Sequence, residues 1–203
     1  MKLKDIYFLP GFHELEITGG GDKGNLHTYI STYERILAPY RSKNISLLEI
    51  GVARGHSLKL WQKYFSKNSK ILGIDVLPEC LKFKKENIDI IINYAHRPEN
   101  YTNKKFDIII DDGSHVFKDQ ELCFKLLFNK HLINGGIYII EDILKLETVQ
   151  KEFESWHPSC QIIDHRNLHY DYYVWDKDYK GWPTDARHEP PIGHDDVMII
   201  YKK

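Results

Sequence analysis

The sequence predicts an α/β fold: a Rossmann-like, doubly wound, mostly parallel sheet with an antiparallel strand pair at its C-terminal edge. Three observations carry this. Five short runs are apolar almost throughout, as expected of strands covered on both faces. Helix-like stretches alternate with them, which calls for right-handed crossovers. The last two apolar runs have no helical pattern between them, so they pair without a crossover at the sheet edge.

In chain order, residues 28–37 (TYISTYERIL) have helical spacing and precede the first strand, 45–51 (ISLLEIG). The later strands are expected at 70–76 (KILGIDV), 88–95 (IDIIINYA), 106–112 (FDIIIDD) and 136–142 (GIYIIED). Helices are expected at 56–65, 78–86, 119–132 and 144–156, and the closing strands at 160–165 (CQIIDH) and 196–202 (DVMIIYK). Between those closing strands lies a segment, 166–194, rich in Tyr, Trp, His, Asp and Pro. A stretch that long without a pattern is usually functional or mobile.

Composition bounds the function. A chain of 203 residues suits one domain and needs no metal or disulfide to hold it together. The 28 basic and 29 acidic residues nearly cancel, which argues against general nucleic-acid binding. Cys80, Cys123 and Cys160 are widely spaced and odd in number, and read as packing residues in a reducing, cytoplasmic setting. Residues 1–10 do not read as a signal peptide, and no apolar run approaches a membrane span.

The first strand leads into LLEIGVARGHSLKLW, residues 47–61. Gly51 and Gly55 let the backbone turn sharply and approach a ligand, and the helix starting near Ser57 offers free N–H groups. The spacing is GxxxG and not GxGxxG, which disfavours a dinucleotide. Glu49 could receive a cationic group of a ligand. Asp75, 24 residues after Gly51, ends the second strand, where an acid accepts hydrogen bonds from ribose hydroxyls. Its alternative role is to cap the helix that follows.

These residues resemble the class I S-adenosylmethionine-dependent methyltransferases, whose E/DxGxxxG turn holds the methionine part of the cofactor. The resemblance implies that Asn93, Ala95 and His96 lie beside the adenine.

Asp111-Asp112-Gly113-Ser114-His115 ends the fourth strand, and Glu141-Asp142 ends the fifth. Both doublets fall where open α/β sheets bind ligands. Asp112, Glu141 and Asp142 would repel one another unless a divalent cation joined them. All-oxygen donors suit Mg²⁺, with Mn²⁺ or Ca²⁺ as alternatives. His115 is placed to take a proton from a hydroxyl. Asp111 either contacts the cofactor or supports the loop. The bland alternative is a turn and a helix cap.

DIIIDDGSH and INGGIYIIED resemble the metal-dependent sugar O-methyltransferases of macrolide, aminocoumarin and glycan-cluster pathways. GGGDKGNLHTYISTYERILAPYR is similar to that family's TDKGxxHxY segment, with Gly21 in place of threonine. The resemblance implies a Mg²⁺ site at Asp112, Glu141 and Asp142, with His115 as base. It implies that Lys23, His27 and Tyr29, within residues 1–43, lie over the cofactor or substrate, and that a sugar or glycan, such as a rhamnose-type deoxysugar, is the acceptor. Oligomeric state stays open, a homodimer included.

Residues 169–182 (HYDYYVWDKDYKGW) suit a sugar or cover the sheet edge equally well, and His188, His194 and Asp195 lack metal-ligand spacing. A catechol-type O-methyltransferase, an NAD-dependent oxidoreductase and a non-catalytic cofactor-binding protein are the rival functions.

Overall fold

The computed structural model describes residues 1–7, 23–24, 27–166 and 195–203. The 169–182 stretch, His188 and His194 lie outside the described residues, as do Gly19 to Asp22.

Strands β1 (Ser46–Ile50), β2 (Lys70–Asp75), β3 (Ile88–Ile92), β4 (Phe106–Asp111), β5 (Leu132–Ile140), β6 (Gln161–Asp164) and β7 (Val197–Lys202) form one sheet. Its order is β3-β2-β1-β4-β5-β7-β6. The first five strands are parallel, and β7 runs antiparallel between β5 and β6. The expected fold class is therefore the observed one, including the antiparallel edge. The order reverses between β1 and β4, which makes that junction the switch point where such sheets open a crevice.

The helices among the described residues are α1 (Leu3–Tyr7), α2 (Ile30–Leu37), α3 (His56–Tyr64), α4 (Phe117–His131) and α5 (Leu146–Trp156), with 3₁₀ turns that include Ala38–Tyr40 and Pro78–Phe83. In α4, Gln120, Cys123, Phe124, Leu127, Phe128 and His131 are buried, a stripe at helical spacing that seats the helix on the sheet. The strands feed two cores by alternation. Leu47, Ile71, Ile108 and Ile139 pack with α1, α2 and α3, while Leu48, Leu72, Ile109 and Ile140 pack with α4 and α5. Among the described residues, no helix is long and apolar enough to cross a membrane.

Two local expectations are corrected, and one element is additional. The helix expected over 78–86 is only the 3₁₀ turn, because Cys80 is its one buried residue and the chain is already extended at Lys84. A further 3₁₀ turn, Pro98–Tyr101, precedes β4. Finally, β5 begins at Leu132 and not at Gly136; a register shift beside Phe106 and Ile108, with Gly135 at φ +79°, absorbs the extra residues.

The ladder continues one step past the parallel strands. Gly51 N–H donates to Ile74, Asn93 to Asp75, Asp112 to Ile50 and Glu141 to Asp111, each at 2.9 Å. These bonds align the residues that follow β1, β3, β4 and β5 along one carboxyl edge, beside Asp75 at the end of β2.

Candidate active site

A cavity of about 730 Å³ opens along that edge, a volume typical of small-molecule sites. Of the residues singled out from sequence, Lys23, Gly51, Ser57, Asp75, Asn93, Ala95, His96, Asp111, Asp112, His115 and Asp142 line it. Glu49, Gly55, His27, Tyr29 and Glu141 are not part of its lining.

Alternation along β1 explains Glu49. It shares a face with Leu47, so its side chain is fully buried beneath the turn, where Trp61 Nε1 donates to Oε1 at 3.3 Å. Burial pushes its carboxyl up to about 7. The two glycines also serve packing. A Cβ on Gly51 (φ +87°) would lie 1.9 Å from the Asp112 carbonyl oxygen, and one on Gly55 (φ +68°) would meet the Phe83 ring. The close approach at Gly51 is therefore to the neighbouring strand end, which closes the switch point.

On the β2 side, Asp75 accepts from Val52 N–H at 2.8 Å, Ala53 N–H at 3.0 Å and Leu77 N–H at 2.9 Å. Burial alone would raise its pKa, but these backbone donors bring it below the usual value. The expected cap role is not made: the 3₁₀ turn that follows has Leu77 at its N-cap without a side-chain cap, and Asp75 ties Leu77 and the glycine turn together instead. Val76, Leu77 and Tyr94 are exposed at the cavity wall, and Tyr94 stacks on His96 at 5.6 Å. Asn93 Nδ2 donates to Asn100 at 3.0 Å. The result is a flat apolar slot beside an ionised acid.

On the β4–β5 side, ligand atoms of Asp112, His115 and Asp142 lie within 4.8 Å of one another. His115 Nε2 is 3.8 Å from Asp142 Oδ2. His115 (φ 57°) and Asp142 (φ 55°) both hold left-handed backbone conformations, which are uncommon away from glycine and aim the two side chains at one point. Ser114 Oγ donates to Asp119 at 2.7 Å and ties the loop to α4. Burial, then Asp112, raise Asp111 to about 7, and burial raises Asp142 to about 6. Glu141 is pushed up by burial and by Asp112, against the pull of Lys23.

Of Lys23, His27 and Tyr29, expected over the cofactor or substrate, Lys23 lines the cavity, and all three reach the acidic cluster. Lys23 is buried, and its Nζ donates to Asp112 Oδ2 at 2.6 Å and to Glu141 Oε2 and Oε1 at 2.7 and 2.8 Å. Tyr29 is buried behind the cluster, and its hydroxyl donates to Asp142 Oδ1 at 2.6 Å. His27 stacks on Tyr29, with Nδ1 3.5 Å from Asp142 and 3.6 Å from Asp196.

Sequence reasoning missed the layer behind. The Tyr33 hydroxyl donates to Glu141. Asp196, fully buried, accepts from Thr28 Oγ1 at 3.0 Å and Thr28 N–H at 3.3 Å. His165 contacts the Thr28 and Thr32 hydroxyls at 3.1 and 3.2 Å. The acid before an apolar run was the only signal at Asp196, and it reads equally well as a strand boundary.

The profile of the methyltransferase domain family matches residues 41–187. The chain belongs to that family. It is 31% identical over 147 residues to an 8-demethyl-8-alpha-L-rhamnosyl tetracenomycin-C 2'-O-methyltransferase of Streptomyces olivaceus, covering 66% of this chain and 38% of that one. It is 31% identical over 153 residues to the mycinamicin VI 2''-O-methyltransferase of Micromonospora griseorubida, covering 70% and 35%. Among solved structures it resembles the MycE methyltransferase in complex with Mg, SAH and mycinamycin VI, at 30% identity and a TM-score of 0.57, over 70% of this chain and 39% of that one. The chain thus spans little over a third of the length of these relatives.

Proposed function

We propose that residues 1–203 form one methyltransferase domain that uses S-adenosylmethionine, assisted by Mg²⁺, to methylate a sugar hydroxyl. The observation that carries this is the division of one cavity: an ionised acid beside an apolar slot at the ends of β2 and β3, and a convergent carboxylate cluster at the ends of β4 and β5. Of the relatives named above, one methylates an oxygen of a rhamnosyl tetracenomycin C and one an oxygen of mycinamicin VI. That supports a deoxysugar such as rhamnose as the acceptor.

Asp75 Oδ1, which accepts one backbone N–H against two at Oδ2, is the oxygen placed to receive a ribose hydroxyl, and Val76, Leu77, Tyr94 and His96 offer faces to a purine. The residues fit a divalent cation: carboxyls this buried and this close to one another resist ionisation without one. Asp112, Glu141 and Asp142 would hold it, because Mg²⁺ prefers oxygen donors, and this leaves His115 as the base. When bound, the cation lowers the pKa of the acceptor hydroxyl and stabilises its developing charge. His115 then accepts the hydroxyl proton, and Asp142, 3.8 Å from its Nε2, stabilises the imidazolium. S-adenosylmethionine would supply the methyl group, its S–CH₃ bond breaking as the O–CH₃ bond forms, and the cavity walls would hold the two reactants together. Residues 166–194 remain the candidate acceptor-side segment on composition alone.

Calorimetric titration with S-adenosylhomocysteine, with and without Mg²⁺, tests this on the wild type and on Asp112→Ala. Cofactor-product binding should survive the substitution within a few-fold, while Mg²⁺ binding is lost. A folded wild type that binds no S-adenosylhomocysteine would sink the proposal.

A further inference from the structure

Lys23 and Tyr29 between them reach all three carboxylates of the cluster. Lys23 sends an ammonium between Asp112 and Glu141, donating to both within 2.6–2.8 Å. Tyr29 sends a hydroxyl to Asp142 at 2.6 Å. The Tyr29 N–H donates to the Lys23 carbonyl at 2.9 Å, so the two residues are tied to each other. Lys23 and Glu141 are both buried, at 3% and 1% exposure, so neither charge is compensated by water. Lys23 Nζ therefore holds the position from which a cation would engage Asp112 and Glu141 together.

We propose that the Lys23 ammonium is the resident counter-ion of the Asp112–Glu141 pair, and that a divalent cation takes these carboxylates by exchange with it, breaking the Tyr29 N–H to Lys23 carbonyl bond. This rests on the metal site proposed above. It also explains why Asp112, His115 and Asp142 converge here while Glu141 is turned to Lys23: the oxygen set is completed only when the ammonium leaves. Lys23 lines the cavity, so its departure changes the wall that faces the ligand. Lys23 is in this sense a positioning residue that sets cation affinity.

Two measurements on chelator-treated protein test it, neither of them enzymatic. The first is Mg²⁺ affinity by calorimetry for the wild type and Lys23→Met. Removal of the competing ammonium should tighten binding by about tenfold or more, whereas loss of a merely supporting group weakens it by a similar factor. The second is hydrogen exchange at the Tyr29 amide of the wild type, which should speed up when Mg²⁺ is added. Exchange that is unchanged or slowed while Mg²⁺ binds overturns the exchange mechanism and leaves the metal site standing. A folded Lys23→Met that binds Mg²⁺ no tighter than the wild type does the same. If the wild type binds no Mg²⁺, the metal site and the exchange fall together. Should Lys23→Met not fold, the wild-type exchange measurement decides alone.

Discussion

Asp75, at the end of β2, and Asp111, at the end of β4, are the same residue at the same place in two parallel strands, yet their carboxyls are shifted in opposite directions. Burial acts on both. At Asp75 three backbone N–H groups outweigh it, and the acid is held ionised without any cation. At Asp111 burial wins, and neighbouring Asp112 adds to it, so the carboxyl rises to about 7. The comparison extends to the surroundings. The β2–β3 end is a self-sufficient acceptor with apolar walls, whereas the β4–β5 end is an assembly of acids that is short of positive charge. On the reading proposed above, one fold edge would offer a site for a hydroxyl-rich ligand and a site for a cation, according to how far backbone donors offset the burial of each acid.

The largest effect should come from breaking what the two ends share. Gly51→Ala would set a methyl 1.9 Å from the Asp112 carbonyl oxygen at a φ of +87°. We expect a loss of about 3 kcal/mol or more in stability, with binding of both S-adenosylhomocysteine and Mg²⁺ impaired. A variant that melts and binds as the wild type does would show that the switch point is not the common hinge of the two sites.

Asp75→Asn separates them. The substitution weakens a charged acceptor for ribose hydroxyls, and we expect S-adenosylhomocysteine affinity to fall about tenfold to a hundredfold. Mg²⁺ affinity in the same titration should not change. Equal losses in both would mean that the β2 end supports the carboxylate cluster, against the division drawn here.

The division itself was largely legible in the sequence. Uniformly apolar runs ending in Asp75, Asp111-Asp112 and Glu141-Asp142 announce parallel strands with acids at their carboxyl ends. What stayed hidden follows from pairing at a distance and from local backbone shape. Lys23 meets Asp112 and Glu141, partners 89 and 118 residues away, and no spacing rule connects them. Tyr29, expected over the cofactor or substrate, donates to Asp142, 113 residues away, and again no spacing rule connects the two. The positive φ values at His115 and Asp142 leave no compositional trace, since neither is glycine. Glu49 is the instructive case. Strand alternation with Leu47 already turned it away from the edge, but its place in a motif suggested a ligand contact.

Tyr29→Phe probes the support behind the cation side. It removes the hydroxyl that donates to Asp142 at 2.6 Å and leaves the ring stacked on His27. Loss of such an orienting partner typically costs about tenfold in metal affinity. S-adenosylhomocysteine binding should be untouched in calorimetry. Unaltered Mg²⁺ affinity would reduce Tyr29 to a packing residue.

The smallest effect expected is the dependence of stability on pH, and its sign tests the contrast between the two ends directly. Glu49 and Asp111 stand at about 7 and Asp142 at about 6 in the folded protein, against about 4 for unfolded carboxyls. Between these limits the native state binds more protons than the unfolded one, so stability falls as pH rises through the window. Asp75, shifted down, acts in the opposite sense, but only below its ordinary pKa. Chelator-treated protein should therefore melt higher at pH 5 than at pH 8, by on the order of 5 °C. Mg²⁺ should recover the part of that loss which comes from Asp142 and its neighbours, because the cation binds the ionised carboxylates and not the acids. Glu49, sealed beneath the turn against Trp61, should keep its share, and Glu49→Gln should remove it. A melting temperature that climbs steadily from pH 5 to pH 8 without Mg²⁺ would mean that the β4–β5 acids ionise as freely as Asp75, and the two ends would then differ in shape but not in their need for a cation.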